Sequence, residues 1–338
     1  MKRIQVGIWG LGYAGRGMFI PELAAYPEKF EIVAGCDAVE ENLRAAVEEL
    51  PGLKRYHCGE ELLNDPEVEL VAIATRSLDH VSHTLQALAA GKSVFVEKPI
   101  AVDYAGAIEL KAAAERYPGK LYFRHNRRFE PQFQYVRKIC DSGILGEIYE
   151  VKLHRHAYLG GENWQTSIAH GGGYLNNWGP HIVDHALIFL ESPVADLWGN
   201  LRQVVCGGDA EDHVKIILTG ENGRIVDLDV SCGVAIGQPE YIIFGDRGSL
   251  ICKGLDVTLK YRDPEQKDAR DSFQWIEKSA QIDPDVWDHP QSIWKYLYDS
   301  IRDERPFPIT TDHAVEIVRI CEEVKKGTRF YQPRGRSI

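Results

Sequence analysis

The stretch that decides the fold is Ile4-Gln5-Val6-Gly7-Ile8-Trp9-Gly10-Leu11-Gly12-Tyr13-Ala14-Gly15, followed about twenty residues later by Asp37. Apolar Ile4, Val6 and Ile8 suit a buried strand. The glycines that follow allow a tight turn, close backbone approach to a pyrophosphate, and a snug helix-to-strand contact. The phosphates would sit at the N-terminus of the next helix, where unpaired N–H groups and the helix dipole favour negative charge. A glycine pattern alone occurs by chance, but this one follows a strand and precedes an amphipathic segment bearing Met18, Phe19 and Leu23. It then leads to a second strand, 31–36, that ends in an acid. Gly10, Gly12, Tyr13, Ala14 and Gly15 are therefore expected to line a dinucleotide, and Asp37 to bind both hydroxyls of its ribose. A 2′-phosphate would be repelled by that carboxylate, which favours NAD over NADP.

Working outward, apolar runs at 68–74, 93–96 and 121–123 alternate with helical patterns over 81–89 and 104–117. This is the rhythm of an α/β domain with a doubly wound parallel sheet, a Rossmann fold. Ligands on such sheets bind beyond the carboxyl ends of the strands, so Asp37, Thr75, Glu97 and Arg124, each following a strand, are expected along one crevice. From about residue 147 the pattern changes to period two, with Val226, Leu228 and Val230 set against Asp227 and Asp229. Similar runs at 214–218, 241–244, 250–252 and 257–261, several separated by turns such as Glu221-Asn222-Gly223, predict hairpins. The second domain is expected to be α+β, an open and mainly antiparallel sheet with helices on one side. Amphipathic helices are expected over 291–302 and 312–326. The change of period places a dinucleotide-binding domain at 1–124 and a substrate-binding and oligomerisation domain at 125–338.

Composition agrees with two domains, since 338 residues are long for a single core. The net charge of -11 argues against a nucleic-acid or anionic-membrane partner. Met1-Lys2-Arg3 resembles the start of a secretion signal, but the apolar run after it is short and broken by Gly7, Gly10 and Gly12. No segment approaches a membrane-spanning length. The seven cysteines are scattered and lack any CxxC spacing, as expected of reduced thiols in a cytoplasmic protein.

Two further stretches carry chemistry. In Val96-Glu97-Lys98-Pro99, the proline restricts Lys98 to an extended conformation and permits a cis bond, either of which would aim the lysine into the cofactor crevice. Taken alone, the tripeptide fits equally a surface lysine before a helix-starting proline. Near a positive nicotinamide and partly out of water, Lys98 would have a lowered pKa and could accept a hydroxyl proton. The second stretch is Gly171-Gly172-Gly173-Tyr174-Leu175-Asn176-Asn177-Trp178-Gly179-Pro180-His181-Ile182-Val183-Asp184-His185. Its three glycines permit close backbone approach to a ligand, and the segment after Pro180 reads as a helix. Asn177 and His181 share a face only if helix extends back past Gly179-Pro180. His154 and His156 share one face of a strand and, with His181 and His185, raise a zinc site. Lacking a compact cysteine or carboxylate set, they read instead as substrate contacts or ordinary polar residues, and no metal is expected. Arg155, Tyr158, Trp164 and Trp178 could stack on and hydrogen-bond a sugar ring.

Gly10, Gly12 and Gly15, Glu97-Lys98-Pro99, Arg127-Arg128-Phe129-Glu130-Pro131, and the glycine run leading to His181 and Asp184 together resemble the Gfo/Idh/MocA oxidoreductases over essentially the whole chain. The resemblance implies NAD(P) as cofactor and sugars, cyclitols or related polyols as substrates, reacting at CH–OH groups. It implies that Lys98 assists proton transfer and that His181 is a general acid/base, and it places His80 near the cofactor. The cofactor set expected is Gly10, Gly12, Tyr13, Ala14, Gly15, Asp37, Thr75, His80, Glu97 and Lys98. The substrate set is Lys98, Arg128, His156, Trp164, Asn177 and His181. Two positions depart from the family pattern. Asn177 stands where an aspartate is usual; an amide can hydrogen-bond a hydroxyl but cannot exchange a proton near neutral pH, which leaves the base role to His181 or Lys98. Arg76 stands where a proline is common and reads as solvated. A sugar or cyclitol dehydrogenase is the leading expectation. NAD-dependent glycoside cleavage through transient oxidation and a non-catalytic nucleotide- or sugar-binding protein are the alternatives. The family pairs through its open sheet, so a homodimer or homotetramer is expected.

Overall fold

The structure, a computed structural model, describes residues 2–263 and 273–331. The chain divides into two compact units, Met1–Asn126 with Gln291–Arg319, and Arg127–Pro290 with Ile320–Ile338.

The first unit is built on a parallel six-stranded sheet. Its strands are β1 (Ile4–Trp9), β2 (Phe30–Cys36), β3 (Lys54–Tyr56), β4 (Leu70–Ile73), β5 (Ser93–Val96) and β6 (Leu121–Phe123), in the order β3-β2-β1-β4-β5-β6. Helices α1 (Ile20–Ala24), α2 (Glu40–Glu49), α3 (Gly59–Asn64), α4 (His80–Ala89) and α5 (Tyr104–Arg116) alternate with them. All residues of β4 and β5 are buried, the mark of strands covered on both faces. The order reverses between β1 and β4, and ligands of such sheets bind beyond the strands' carboxyl ends at that switch point. Strand β3 and helix α3 carry no apolar pattern strong enough to read in advance. The strand is three residues long, polar, and at the edge of its sheet.

The second unit contains α6 (Pro131–Asp141), β7 (Ile148–His156), α7 (Tyr174–Asn177), α8 (Gly179–Leu190), β8 (Val194–Arg202), β9 (His213–Gly220), β10 (Ile225–Ser231), β11 (Tyr241–Gly245), β12 (Gly248–Lys253), β13 (Asp256–Arg262) and β14 (Trp275–Gln281). The eight strands form one sheet in the order β14-β13-β12-β11-β7-β10-β9-β8. Every pair is antiparallel except β7 with β10, which run parallel. Burial alternates strictly along β9, as period two requires of a sheet with one covered face. Helix α8 packs on the covered face against β7, β9 and β10, and is buried along most of its length. The other face carries Lys152, Lys215, Asp227 and Asp229 together with Trp198, which is exposed.

Helices α9 (Ile293–Asp303) and α10 (Thr311–Lys325) complete the described chain, and the division between units falls within α10. A boundary read from period change along the chain cannot see that 291–319 returns to the first unit. The return is anchored by Trp294, fully buried, whose ring meets Phe19 at 5.3 Å and Phe95 at 4.7 Å. Its indole Nε1 donates to Glu22 Oε2 at 2.7 Å. Among the described residues no helix is long and apolar enough to cross a membrane. All seven cysteines are unpaired.

Arg124 corrects an expectation. It follows β6 as anticipated, yet it does not line the crevice: it is 1 % exposed, with Nη2 donating to Glu22 Oε1 at 2.5 Å and Nη1 to Glu97 Oε1. A buried guanidinium thus neutralises two carboxylates from α1 and the end of β5. Removing it strands both charges, so Arg124→Met should lower unfolding free energy by about 3–5 kcal/mol in urea titration. Adding Glu97→Gln to that variant should restore part of the loss; a single-variant loss below about 1 kcal/mol would remove the cluster from the core's support.

Candidate active site

At the dinucleotide end, the glycines divide their work. Gly10 has φ +98° and a Cβ there would lie 2.6 Å from the Ala74 carbonyl carbon, so only glycine fits. A Cβ on Gly15 would run into the Gly10 carbonyl oxygen, which is the expected close contact between helix and strand. Gly12 has nothing within 4 Å of its Cβ position, and Tyr13 is 85 % exposed. The turn is therefore closed against the protein at both ends and open in the middle. The helix after it begins as a wide turn, Gly15–Phe19, before continuing as α1. Asp37 is fixed beside this turn: Oδ2 accepts from Leu11 N at 2.7 Å and from Asn42 Nδ2 at 3.2 Å, and Oδ1 from Val39 N at 2.8 Å. An open backbone turn at a helix start, next to an acid held at the neighbouring strand end, fits the pyrophosphate and ribose of a dinucleotide.

The lysine of the second motif is held from both sides. Glu97 Oε2 accepts from Lys98 N at 2.7 Å, while its other oxygen is taken by Arg124. On the far side of Lys98 the Lys98–Pro99 peptide is cis. The Pro99 carbonyl lies 2.7 Å from His80 Nδ1, and His80 Nε2 lies 3.1 Å from the Thr75 carbonyl. Glu97 and His80, expected among the cofactor contacts, thus have their polar side-chain atoms committed within the protein. His80 is 2 % exposed, and burial pushes its pKa down against the two carbonyls. Thr75 Oγ1 is 3.1 Å from His83 Nδ1, and that ring stacks on Trp9 at 4.0 Å. Arg76 is exposed, in keeping with the solvated reading.

In the second unit the glycine run corrects its reading. It is not an open cradle. A Cβ on Gly172 would strike the Gln165 and Ser167 carbonyls, and one on Gly173, at φ +107°, would strike the Glu211 carboxylate. The glycines are needed because protein, not ligand, comes close. Glu211 Oε1 accepts from Leu175 N at 3.1 Å and the Glu211 backbone carbonyl from Tyr174 N at 2.9 Å. Asn176 Nδ2 donates to the Gly171 and Gly172 carbonyls at 2.9 and 3.1 Å, and Asn176 Oδ1 accepts from Lys325 Nζ. Glu211, Asn176 and Lys325 went unread in the sequence, because nothing local links residue 176 to residue 325. Helix α7 ends at Asn177 and α8 starts at Gly179, so Asn177 and His181 stand on successive helices rather than on one face. The Trp178 ring lies edge-on to His181 at 5.8 Å, and His181 N donates to the Trp178 carbonyl.

Two expected substrate contacts are engaged elsewhere. Arg128 grips Asp184 bidentately, Nε at 2.8 and 2.9 Å and Nη2 at 2.6 Å, with Asp184 fully buried. His156 lies on the sheet face opposite α8. Its Nε2 is 3.2 Å from Asp229 Oδ1, and its Nδ1 accepts from Gln238 N at 3.2 Å. Its neighbour Arg155 points to the covered face, donating to Glu130 and to Tyr241 Oη, and that hydroxyl is 3.4 Å from His185 Nδ1. The four histidines of the zinc idea are therefore divided between two faces. Among the described residues no group of three or more His, Cys, Asp or Glu could hold a metal. Trp164 and Tyr158 are exposed.

A sheet that reverses its order at an open glycine turn, with an acid held beside it and an open-sheet unit following, is the architecture of an oxidoreductase with an NAD-binding Rossmann domain, the class that the family match gives. The chain belongs to the GFO/IDH/MocA family: residues 4–125 match the oxidoreductase family, NAD-binding Rossmann fold, and residues 133–251 match the GFO/IDH/MocA C-terminal domain. It is 28% identical to the uncharacterized oxidoreductase YdgJ of Escherichia coli, over 94% of each chain. It is 26% identical to scyllo-inositol 2-dehydrogenase (NADP(+)) IolW of Bacillus subtilis, over 96% of this chain and 94% of that one. The crystal structure of an NAD-binding protein from Listeria innocua shares the fold with a TM-score of 0.82 at 24% identity, covering 96% of this chain and 94% of that one.

Burial pushes His185 down to about 4, although Glu130 and Asp184 oppose it. Its ordinary value is 6.5, so between those values the unfolded chain binds a proton that the folded chain does not. Stability from this group is complete above pH ~6.5 and falls as the pH drops toward 4, by about 3 kcal/mol in all. His185→Gln should flatten the dependence of urea-unfolding free energy on pH over that window. An unchanged slope would move the acid lability to His80 and His154, which burial also lowers.

Proposed function

We propose that the protein is an NAD-linked dehydrogenase acting on a secondary alcohol of a sugar, sugar derivative or cyclitol. The observation that carries this reading is Lys98, fixed at the carboxyl end of β5 by Glu97 on its own amide and by the His80-bound carbonyl of Pro99. A bound dinucleotide would be held by Gly10, Gly12, Tyr13, Ala14 and Gly15 through their backbone and by Asp37 through its carboxylate, with Thr75 and Lys98 toward its nicotinamide. When bound, the nicotinamide supplies the hydride acceptor or donor. Lys98 and His181 are the groups assigned to hold and move the hydroxyl proton. Asn177 orients that hydroxyl by hydrogen bonding and leaves the proton to those two groups.

Asp37 supports NAD. Its oxygens are held in place by three donors, so it cannot swing away from a 2′-phosphate. The relative IolW is named as NADP(+)-linked, which makes cofactor choice a point of difference to measure, and it places cyclitols first among trial substrates. A homodimer or homotetramer through the exposed sheet face, in the cytoplasm, suits Trp198 on that face and the unpaired thiols. Asn177 favours a second reading, in which the same site serves glycoside cleavage through transient oxidation and elimination, or binding without turnover.

Absorbance at 340 nm with NAD⁺ and cyclitols, sugars, sugar phosphates and glycosides tests the proposal. Reduction is expected, with kcat lower in Lys98→Ala by roughly 100-fold or more. Silence across the panel with NADH binding intact would transfer the assignment to the second reading. Asp37→Ala should reduce the NAD-over-NADP ratio of kcat/KM by about tenfold or more, equivalent to one lost charge contact. An unchanged ratio would remove Asp37 as the cofactor selector.

A further inference from the structure

We propose that Lys325, Asn176 and Glu211 form a buried positioning group that sets where Asn177 and His181 stand. The proposal rests on the dehydrogenase reading for its kinetic consequence, but not for its structural one.

Lys325, the last residue of α10, is 8 % exposed, and its ammonium donates to Asn176 Oδ1 at 2.5 Å. The opposite end of the same amide donates to two carbonyls, those of Gly171 and Gly172. Only one orientation of the amide works, because flipping it would face an NH₂ toward the ammonium and an oxygen toward two carbonyl oxygens. The lysine therefore fixes the amide, and the amide fixes the glycine run. Glu211, 2 % exposed, grips the same segment from the other side, accepting from Leu175 N at the start of α7. Burial pushes its carboxyl up, and the Lys325 ammonium opposes that rise. The buried carboxylate thus sits within the field of the buried ammonium.

Two glycine carbonyls and the amides of Tyr174 and Leu175 are held in this way, immediately before Asn177. The linkage continues from Tyr174 to Trp178, whose amide donates to the Tyr174 carbonyl at 2.8 Å, and from Trp178 to the His181 amide at 3.1 Å. The group acts through backbone. Stability alone does not call for it, since apolar side chains of similar volume can replace buried ion pairs without loss of fold. What apolar residues cannot supply is a single position for the segment.

The test compares Lys325→Met and Lys325→Arg with the parent chain. Three quantities are read: kcat and KM for the best polyol, the NADH dissociation constant by fluorescence, and hydrogen exchange across residues 171–178. In Lys325→Met, amides of Leu175 and Asn177 should exchange at least about tenfold faster, kcat should fall and polyol KM rise by roughly tenfold each, and the NADH constant should stay within about twofold. Lys325→Arg, which keeps a donor for Asn176, should recover most of the loss. Parent-like exchange across 171–178 in Lys325→Met would overturn the proposal, as would a kcat loss without a KM change that merely follows the folded fraction. If Lys325→Met does not fold, Lys325→Met with Glu211→Gln strands no charge, keeps an acceptor for Leu175, and carries the same readouts. Should the parent turn over no polyol, the dehydrogenase reading fails, while the exchange comparison still decides the positioning role.

Discussion

The first unit depends on one buried cation. Arg124 holds Glu22 and Glu97, and each carboxylate has a second duty on its remaining oxygen: Glu22 receives the Trp294 indole, and Glu97 receives the Lys98 amide. A charge placed inside a sheet's helical cover is costly unless it is matched and hydrogen-bonded, and here the matching groups also perform the assembly. One carboxylate ties in a helix from the far end of the chain. The other sets the backbone of the candidate proton-transfer lysine. Fold closure and site geometry in this unit are therefore governed by the same guanidinium.

The second unit meets a similar problem with one buried ammonium, one buried carboxylate and an amide. Its candidate segment is short and glycine-rich, and α7 is a single turn, too brief to hold itself. Glu211 at its start and the Asn176 amide across the glycine carbonyls provide the fixed points that helix propagation does not. The pattern in both units is the same: the residues proposed for chemistry are positioned by buried polar groups bonded to backbone. Arg128 and Asp184 add a side-chain link, a bidentate pair joining the Arg127–Pro131 motif to α8.

The fold was legible in the sequence wherever burial imposes a period. The strands Ile4–Trp9, Ser93–Val96 and Leu121–Phe123, and the alternation over Ile225–Ser231, are visible because one or both faces must be apolar. Lys54–Tyr56 was not, since an edge strand of polar residues obeys no such constraint. Site residues were legible as types and not as partners. Lys98, Asp37 and His181 stand out by motif, whereas the roles of Arg124, His156 and Glu211 depend on which distant group each meets. Glycine is the clearest case. Gly12 and Gly173 look alike on paper, but one leaves open space and the other makes room for a carboxylate.

The first unit has a cavity at the end of its sheet opposite the glycine turn. This cavity, of about 840 Å³, opens at the amino ends of β1, β4, β5 and β6, lined by Ile4, Leu70, Ser93, Tyr122 and Arg302. Two of its lining cations are already committed: Lys92 donates to the Asp65 and Val68 carbonyls, and Arg302 to Glu69 and the carbonyls of Lys2 and Arg3. Those pairings neutralise carbonyls and carboxylates that the helix C-termini and strand starts leave exposed, which is a structural task. At the carboxyl ends the situation is reversed. There the helix after the glycine turn presents N–H groups at its start and Gly12 leaves them approachable, while the Asp37 carboxylate, at the end of the neighbouring strand, is held by the Leu11 amide. Unspent hydrogen-bonding capacity, rather than volume, marks the end of this sheet that is suited to a dinucleotide.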